Sequence, residues 1–341
     1  MLMLKKWFVG LYLQYLNIFV SFLCLAILQA FFELVFGCKL VITGDKISDN
    51  DSPLIIMNHR CRLDWMFYWM ALLRYGRLAN EKIIMKQELK FIPGPGWCMQ
   101  NLMYFFLLRR WEQDESYLDR ILNYFIDMNY PLQLFLFPEG TDLCKESLER
   151  SHKYAEKTGL VKYEYCLHPR VKGFHYLVQK LRGNILDTVH DVTVGYPVNL
   201  CYGELDLLQG NFPKEIHILI KRYKMKDMPA TSDELDEWCI ERWAEKESRL
   251  KKFYEDGKFT EGGDEVYDKS IEEKMKAVMY FIFAFWTIFL VLVTYSLWFY
   301  SVARWYCFLM VVFYSILSVR GGTDAFQLGV RDWLNERNKK T

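Results

Sequence analysis

The chain has 341 residues, which is enough for one large domain with membrane segments or for two small domains. Its 43 basic and 42 acidic residues give a formal net charge of +1, and this balance gives no support to a nucleic-acid partner. The nine cysteines include no Cys-x-x-Cys pair, so the sequence supports neither a zinc site nor a redox motif and favours reduced thiols.

The first predicted element is an uncharged apolar run from Trp7 to Phe32. It is long enough to cross a bilayer, which takes about 20 residues. The run is too long for the apolar region of a signal peptide, and no small-residue cleavage site follows it. Three polar residues interrupt it, so residues 1–37 are predicted to form either one membrane helix or a helix pair that dips into one leaflet.

Residues 38–258 alternate short apolar runs with amphipathic stretches. Pro53–Met57, Leu132–Phe137 and Val192–Pro197 are typical of buried strands, and a helix is predicted over Trp65–Arg74. Strands that alternate with helices indicate an α/β domain with a mostly parallel sheet. In such sheets ligands gather at the carboxyl ends of the strands, where all three runs end in polar or glycine-proline sequence.

The last part of this domain is a charged stretch, Ser232–Tyr254, which is predicted to be a solvated helix that packs on the domain through a stripe containing Trp238 and Trp243. Two long uncharged runs follow and predict two transmembrane helices, with a join near Ser301–Arg304. A buried core helix is the alternative, which the lack of a polar face disfavours. The predicted segments are a linker at 259–274, a transmembrane hairpin at 275–320 and a polar tail at 321–341.

The first motif, Asn58-His59-Arg60-Cys61-Arg62-Leu63-Asp64, follows the Pro53–Met57 run. Residues five apart on one helix do not face each other, so the pair meets only if His59 lies in a turn and Asp64 caps the next helix. An aspartate bonded to one ring nitrogen fixes the tautomer and makes the other nitrogen a base for an alcohol. The spacing alone is also typical of a structural histidine beside an N-cap aspartate, and by itself favours that interpretation.

The second motif is Phe137-Pro138-Glu139-Gly140-Thr141, again at the end of an apolar run. Glycine lets the backbone approach a ligand closely, and Glu139 is able to accept hydrogen bonds from substrate hydroxyls. Alone, the motif is equally consistent with an ordinary strand-to-helix turn. The presence of both motifs, each after a predicted strand, favours a functional site at one edge of the sheet.

Together the two motifs resemble the glycerophospholipid acyltransferase family, which includes the 1-acylglycerol-3-phosphate acyltransferases. The wider similarity is greatest to the lysocardiolipin and lysophosphatidylinositol acyltransferase branch and spans the middle domain, whereas the membrane ends carry it less well. The other stretches that carry it are Pro93–Trp97, Leu134–Leu143, Lys162–Tyr165, Leu167–Arg170 and Leu208–Pro213.

The resemblance implies that His59 deprotonates the free hydroxyl of a lysophospholipid, which then attacks acyl-CoA without an acyl-enzyme intermediate. It implies that Asp64 orients His59 and that a nearby backbone amide stabilises the oxyanion. It implies no metal and no cofactor, with acyl-CoA as a co-substrate. The expected ligands of the acceptor are Arg109, which would contact its phosphate, and Glu139, Gly140 and Thr141. Further candidates are Asn58, Lys86, Gly94, Pro138, Asp142 and Pro197.

One departure from the family bears on the acceptor. Many members that make phosphatidate carry arginine after Glu-Gly-Thr, whereas this chain has Asp142. An acidic residue there would repel a terminal phosphomonoester, which predicts a phosphodiester acceptor such as lysophosphatidylinositol, lysophosphatidylglycerol or a lysocardiolipin. The alternatives are a 1-acylglycerol-3-phosphate acyltransferase that makes phosphatidic acid and an inactive membrane scaffold. A lipase is disfavoured because no Gly-x-Ser-x-Gly elbow occurs.

The expected location is the endoplasmic reticulum membrane, with several crossings and a site that faces the cytosol. The expected partners are acyl-CoA, a lysophospholipid and membrane lipids. Asn50-Asp51-Ser52 is a glycosylation sequon, usable only if the domain were luminal. Arg60, Arg62 and Arg74 are interpreted either as attractors of lipid or CoA phosphates or as solvated surface arginines.

Overall fold

The computed structural model of the protein describes residues 21–48, 50–266 and 268–339. Most of the predicted N-terminal membrane segment lies outside these residues. The strands of the described residues are β1 (Lys39–Gly44), β2 (Pro53–Met57), β3 (Glu81–Lys86), β4 (Phe105–Leu107), β5 (Gln133–Leu136), β6 (Thr188–Gly195) and β7 (Glu215–Lys224).

The helices alternate with these strands through most of the chain and follow one another after residue 231. Their bounds are α1 (Ser21–Val35), α2 (Asp64–Tyr75), α3 (Pro95–Asn101), α4 (Trp111–Asp127), α5 (Lys145–Thr158), α6 (Val171–Leu181), α7 (Glu204–Leu208), α8 (Ser232–Asp256), α9 (Lys269–Phe299), α10 (Ser301–Val319) and α11 (Gly322–Lys339).

The chain divides into two compact units, and each is described by itself. The sheet unit consists of Phe22–Glu81 and Pro131–Tyr280, and the hairpin unit includes Lys82–Tyr130 and Phe281–Thr341. The sheet unit contains both motifs that the sequence analysis singles out.

The sheet unit is built on strands in the order β1-β7-β6-β2-β5. All neighbouring strands are parallel except β6 and β7, so the prediction of an α/β domain with a mostly parallel sheet is confirmed. All five residues of β2 are buried, as expected for a central strand that is covered on both faces. Because β2, β5 and β6 are parallel, their carboxyl ends meet at one edge of the sheet. His59, Glu139 and Tyr196 follow these three ends.

Helix α8 is more deeply embedded than its charge pattern predicts. Trp243 is fully buried, and so is Lys246, whose ammonium group forms an ion pair with Asp191 on β6. The ring of Trp238 stacks on Phe174 of α6 at 5.6 Å. The predicted packing through Trp243 is therefore confirmed, whereas the burial of Lys246 departs from the prediction of a solvated helix; this buried charge is accommodated by the opposite charge of Asp191.

Arg74 of α2 lies between two carboxylates and is neither a surface residue nor a ligand for lipid phosphates. Its guanidinium donates to both oxygens of Glu33 on α1, at 2.7 and 2.6 Å. It also donates to both oxygens of Glu272 on α9, at 2.6 and 2.9 Å. The Arg74 side chain is only 5% exposed. Two bidentate pairs on one arginine fix α1, α2 and the first turn of α9, which lies in the sheet unit, relative to one another.

The hairpin unit contains the parallel pair β3 and β4, with α3, α4, α10 and α11. Lys90 forms a buried ion pair with Asp324 at 2.6 Å. The Gln100 side chain donates to the Ser318 hydroxyl at 3.3 Å and accepts the Thr323 backbone N–H at 3.0 Å. These contacts attach the turn between α10 and α11 to the segment that contains Lys90 and Gln100.

Helices α9 and α10 are each long and apolar enough to cross a membrane. Only 11% of the most apolar window of α9 and none of that of α10 is buried, which argues against the alternative of a soluble core helix. The helices meet at Tyr300. Arg304, at the end of the predicted join, lies inside α10 and donates to the carbonyls of Leu297 and Trp298 at the end of α9. Within the part of the chain that the structure describes, helix α1 is an apolar helix that is shorter than these two.

Candidate active site

His59 and Asp64 meet as the sequence predicts. The Nδ1 atom of His59 lies 2.9 Å from Oδ2 of Asp64. Asp64 is the first residue of α2, and Leu63 occupies the N-cap position, so Asp64 does not cap the helix. Its Oδ2 atom instead accepts the backbone N–H of Cys61 at 2.9 Å. This bond closes the turn between β2 and α2 and aims the carboxylate back at the imidazole.

The Asp64 carboxylate is fully buried and has donors on both oxygens. Its Oδ1 atom accepts the Tyr196 hydroxyl at 2.5 Å and the Cys61 thiol at 3.2 Å. Burial, followed by the nearby Asp64 charge, raises the pKa of both Tyr196 and Cys61, so each keeps its proton and donates. With these donors and the Cys61 N–H in place, the carboxylate holds a proton on His59 Nδ1 and leaves Nε2 as the free base.

The imidazole is held from a second side by the other motif. Its ring stacks on Phe137 at a centroid distance of 3.9 Å and an angle of 20°. The Leu143 N–H donates to the carbonyl of His59 at 2.8 Å. The His59 side chain remains 14% exposed, and no residue that the structure describes binds its Nε2 atom. The open nitrogen is thus available to a substrate.

Glu139 is almost completely buried, with 3% of its surface exposed. Its Oε1 atom accepts the His59 backbone N–H at 3.1 Å and the Trp243 indole N–H at 3.2 Å, and Oε2 accepts the Leu167 N–H at 3.0 Å. Burial raises the pKa of Glu139 to about 7, against the opposing effect of the Leu167 N–H and of His59. This geometry favours a role in positioning His59 over the direct contact with substrate hydroxyls that the sequence analysis expects.

The residues around Gly140 form a turn against the start of α6. Gly140 has a φ of +74°, and its N–H donates to the Phe137 carbonyl at 2.9 Å. The Pro138 carbonyl accepts the Arg170 N–H at 2.8 Å. Thr141 and Asp142 follow, half-buried, with the Thr141 hydroxyl 3.4 Å from the Asp142 carboxylate. The sheet unit therefore brings the second motif beside His59.

Asn58 fixes the relative position of β2 and β6. Its carboxamide donates to the Val194 carbonyl at 3.1 Å and accepts the Val194 N–H at 2.8 Å. These bonds continue the strand pairing beyond Met57 and Val192. Tyr196 is thereby held where its hydroxyl reaches Asp64, and the half-buried Pro197 follows it. Asn58 thus positions the candidate base, and its side-chain amide binds the backbone of Val194.

Three of the predicted site residues belong to the hairpin unit. Lys86 is exposed at the end of β3, Gly94 precedes α3 with a φ of +82°, and Arg109 is exposed after β4 with a φ of +63°. The role of Arg109 at the acceptor phosphate therefore stays a prediction. The other candidates, from Asn58 to Pro197, lie in the sheet unit.

Four residues at this site have no role in the sequence analysis: Cys61, Tyr196, Trp243 and Arg170. Cys61 and Tyr196 bind Asp64, Trp243 binds Glu139, and Arg170 packs on Gly140. Cys61 lies within the first motif, Arg170 ends the Leu167–Arg170 stretch that carries the family resemblance, and Tyr196 lies in the Val192–Pro197 run that is predicted as a strand. The contacts of Tyr196, Trp243 and Arg170 depend on how distant elements dock and leave no sign in the sequence spacing, whereas Cys61 contacts Asp64 three residues away in the same turn.

The known proteins and family models that this chain resembles are described as acyltransferases. Residues 39–197 match the family model described as Acyltransferase, and residues 206–286 match the one described as Acyltransferase C-terminus. The chain is 45% identical over 314 residues to lysocardiolipin acyltransferase 1 of Gallus gallus, which covers 91% of this chain and 83% of that protein. It is 35% identical over 226 residues to lysophosphatidylinositol acyltransferase 10 of Caenorhabditis elegans, covering 65% and 58%. It is 37% identical over 241 residues to the probable 1-acyl-sn-glycerol-3-phosphate acyltransferase 5 of Arabidopsis thaliana, covering 71% and 64%.

Proposed function

This chain belongs to the glycerophospholipid acyltransferase family, and from that premise we propose that it transfers an acyl group from acyl-CoA to the free hydroxyl of a lysophospholipid. The observation that carries the proposal is the 2.9 Å contact between His59 Nδ1 and the buried Asp64 carboxylate, which leaves Nε2 open. A base of this kind is needed by an alcohol acceptor, whose hydroxyl is a weak nucleophile until its proton is removed.

The proposed reaction is a direct transfer. His59 Nε2 takes the proton of the acceptor hydroxyl as its oxygen attacks the carbonyl carbon of the thioester. The tetrahedral intermediate collapses with cleavage of the carbon–sulfur bond, and the imidazolium returns the proton to the sulfur, which gives the new ester and free CoA. Asp64 stabilises the imidazolium between the two steps, and Tyr196 and Cys61 hold Asp64 in place.

The proposed acceptor is a phosphodiester lysolipid such as lysophosphatidylinositol, lysophosphatidylglycerol or a lysocardiolipin. Asp142 supports this choice, since its carboxylate lies two residues after Gly140 and is half-buried. The second candidate is acylation of a 1-acylglycerol 3-phosphate, which the name of the Arabidopsis relative supports. Asp142→Arg separates the two. We expect this variant to raise the rate with lysophosphatidic acid relative to the rate with a phosphodiester lysolipid. The acceptor assignment would be overturned if the wild type already preferred lysophosphatidic acid and the variant left the ratio of the two rates unchanged.

The proposed location is the endoplasmic reticulum membrane with the site facing the cytosol. The two exposed apolar helices support membrane attachment. The sequon tests the orientation because Asn50 is exposed. We expect no glycan on Asn50 in microsomes, whereas a shift in mass that a glycosidase reverses would put the domain in the lumen.

The deciding experiment measures acyl transfer from labelled oleoyl-CoA and stearoyl-CoA in membranes that contain wild type or His59→Ala, with a panel of lysolipids. His175→Ala is the matched control, because His175 forms a similar pair with Asp236 at 2.7 Å outside the site. We expect product from the wild type and His175→Ala and none above background from His59→Ala. Turnover that persists in His59→Ala would overturn the proposed mechanism. A wild type that gives no turnover with any lysolipid would favour the inactive scaffold.

A further inference from the structure

Arg170 lies directly against the glycine of the second motif. Its N–H is bonded to the Pro138 carbonyl at 2.8 Å. Its side chain lies beside Gly140: a Cβ added there would be in ordinary van der Waals contact with Arg170, at 3.5 Å from Cδ, 3.6 Å from Nε and 3.8 Å from Cζ. The residue is also the N-cap of α6, which fixes the path of its backbone. The guanidinium is thus held beside the turn that contains Glu139, the residue that binds the His59 N–H.

The charge of this guanidinium is uncompensated within the structure. Arg170 is exposed, and its side chain makes no hydrogen bond or ion pair with any of the described residues. The adjacent Glu139 is not available to it, because both of its oxygens accept internal donors. An arginine keeps its charge at any physiological pH and offers five N–H donors in a planar fork, which suits a phosphate group.

We propose that Arg170 binds the phosphodiester of the acceptor lysophospholipid and so holds the free hydroxyl toward His59. This inference rests on the proposed function. In a lysophospholipid only a few covalent bonds separate the free hydroxyl from the phosphate, so a group that binds the phosphate has to lie near the base. Arg170 is connected to His59 through Gly140 and Glu139. Asp142 lies two residues after Gly140, and its negative charge disfavours the extra charge of a phosphomonoester relative to a phosphodiester.

The phosphates of acyl-CoA share this chemistry and are the competing ligand. The two sources are separated by steady-state kinetics in which each substrate is varied in turn. The variants are Arg170→Gln, which removes the charge, and Arg170→Lys, which keeps the charge but loses the fork. Arg150→Gln is the matched control, because Arg150 is an exposed arginine on α5 of the same unit.

We expect Arg170→Gln to lower kcat/KM for a phosphodiester lysolipid by roughly 10- to 100-fold, mainly through KM for that lysolipid, as loss of a charge-assisted hydrogen bond implies. The KM for acyl-CoA should be unchanged. Arg170→Lys should retain an intermediate value, and Arg150→Gln should match the wild type. A purely structural role would instead lower kcat with all substrates alike, together with Tm, and would not be rescued by lysine.

The possible failures are distinct. An increase in KM for acyl-CoA alone would assign Arg170 to the CoA phosphates and overturn the inference. Wild-type kinetics in Arg170→Gln would also overturn it, while a His59-dependent reaction in the same assay would leave the proposed function intact. If the wild type makes no more product than His59→Ala, the proposed function is overturned, and this inference is overturned with it.

Discussion

The Tyr196 hydroxyl donates to Oδ1 of Asp64 at 2.5 Å across 132 residues of sequence. Tyr196 follows β6, and Asp64 begins α2, which follows the neighbouring strand β2. The contact stabilises the carboxylate on the side opposite to His59. The candidate base is therefore supported by a network that includes the end of a second strand, and its geometry depends on the pairing of β2 with β6.

Tyr196→Phe tests this support. Tyr196 is 3% exposed, so we expect the KM values of both substrates to change little. The variant loses one hydrogen bond to a buried carboxylate, and kcat should fall roughly 10- to 100-fold because such bonds contribute about 1.5–3 kcal/mol. The measurement is steady-state acyl transfer with a Tm for each variant.

Tyr68→Phe is the matched control for that substitution. Tyr68 is also fully buried and aromatic, but its hydroxyl has no hydrogen-bond partner among the described residues. Removal of that hydroxyl should leave kcat and Tm close to the wild type. Equal kcat values for the two variants would show that Tyr196 does not support Asp64.

Glu139 should make stability depend on pH. Its pKa is raised by burial from an ordinary value of 4.5 to about 7, so the folded protein binds more protons than the unfolded chain between these values. Stability from this group is therefore highest below about pH 4.5 and falls as pH rises to about 7, by roughly 3 kcal/mol at most. We expect Tm of the wild type to fall over this window relative to Glu139→Gln, which has no charge to titrate.

The same variant should also weaken the site. The glutamine oxygen can replace Oε1, but its NH2 group then faces the Leu167 N–H, so one hydrogen bond is lost. Activity should be lower than in the wild type at every pH. A Tm difference between the two proteins that is independent of pH from 4.5 to 7 would contradict the raised pKa.

Gly140→Ala should impair activity more than stability alone explains. Gly140 has a φ of +74°, a conformation that costs a residue with a Cβ about 1–2 kcal/mol. The new methyl group would also touch the Arg170 side chain at 3.5 Å. We expect a lower Tm and a several-fold loss of kcat/KM for the lysolipid.

Gly159→Ala separates these two effects. Gly159 ends α5 with a φ of +70°, and nothing lies within 4 Å of the position of its Cβ. Gly159→Ala should lose about as much stability as Gly140→Ala and keep the activity of the wild type. If Gly159→Ala lost as much activity as Gly140→Ala, the effect at Gly140 would be one of stability only.

Arg74→Met should destabilise the sheet unit strongly. It would leave Glu33 and Glu272 without their guanidinium partner in a poorly hydrated position, with side chains only 12% and 18% exposed. Removal of one member of a buried ion pair typically costs about 3–5 kcal/mol. The measurement is Tm of the detergent-solubilised protein.

The matched control is Arg62→Met. The Arg62–Glu204 pair is 3.5 Å apart, and both side chains are 63% exposed, so its loss should cost less than about 1 kcal/mol. Similar Tm values for the two variants would mean that the Arg74 pairs contribute no more than a surface salt bridge.

The sequence by itself determined the local elements and the candidate for the base. Pro53–Met57 is a strand as predicted, since five consecutive apolar residues without a polar face need burial on both sides. The contact between His59 and Asp64 was predictable because a short turn joins the two residues. The two long apolar helices α9 and α10 were also predictable, because the hydropathy of a segment does not depend on tertiary contacts.

Only the tertiary structure decided how each charged group is used. From the sequence, Glu139 was predicted to contact the substrate and Arg74 to meet lipid phosphates or solvent. In the structure Glu139 accepts three internal donors, and Arg74 lies between Glu33 and Glu272. From the sequence, no role was predicted for Tyr196 or for the side chain of Arg170. The partner of a charged or hydroxyl group depends on which segment packs against it. That packing depends on strand register and on helix contacts between segments that are distant in sequence.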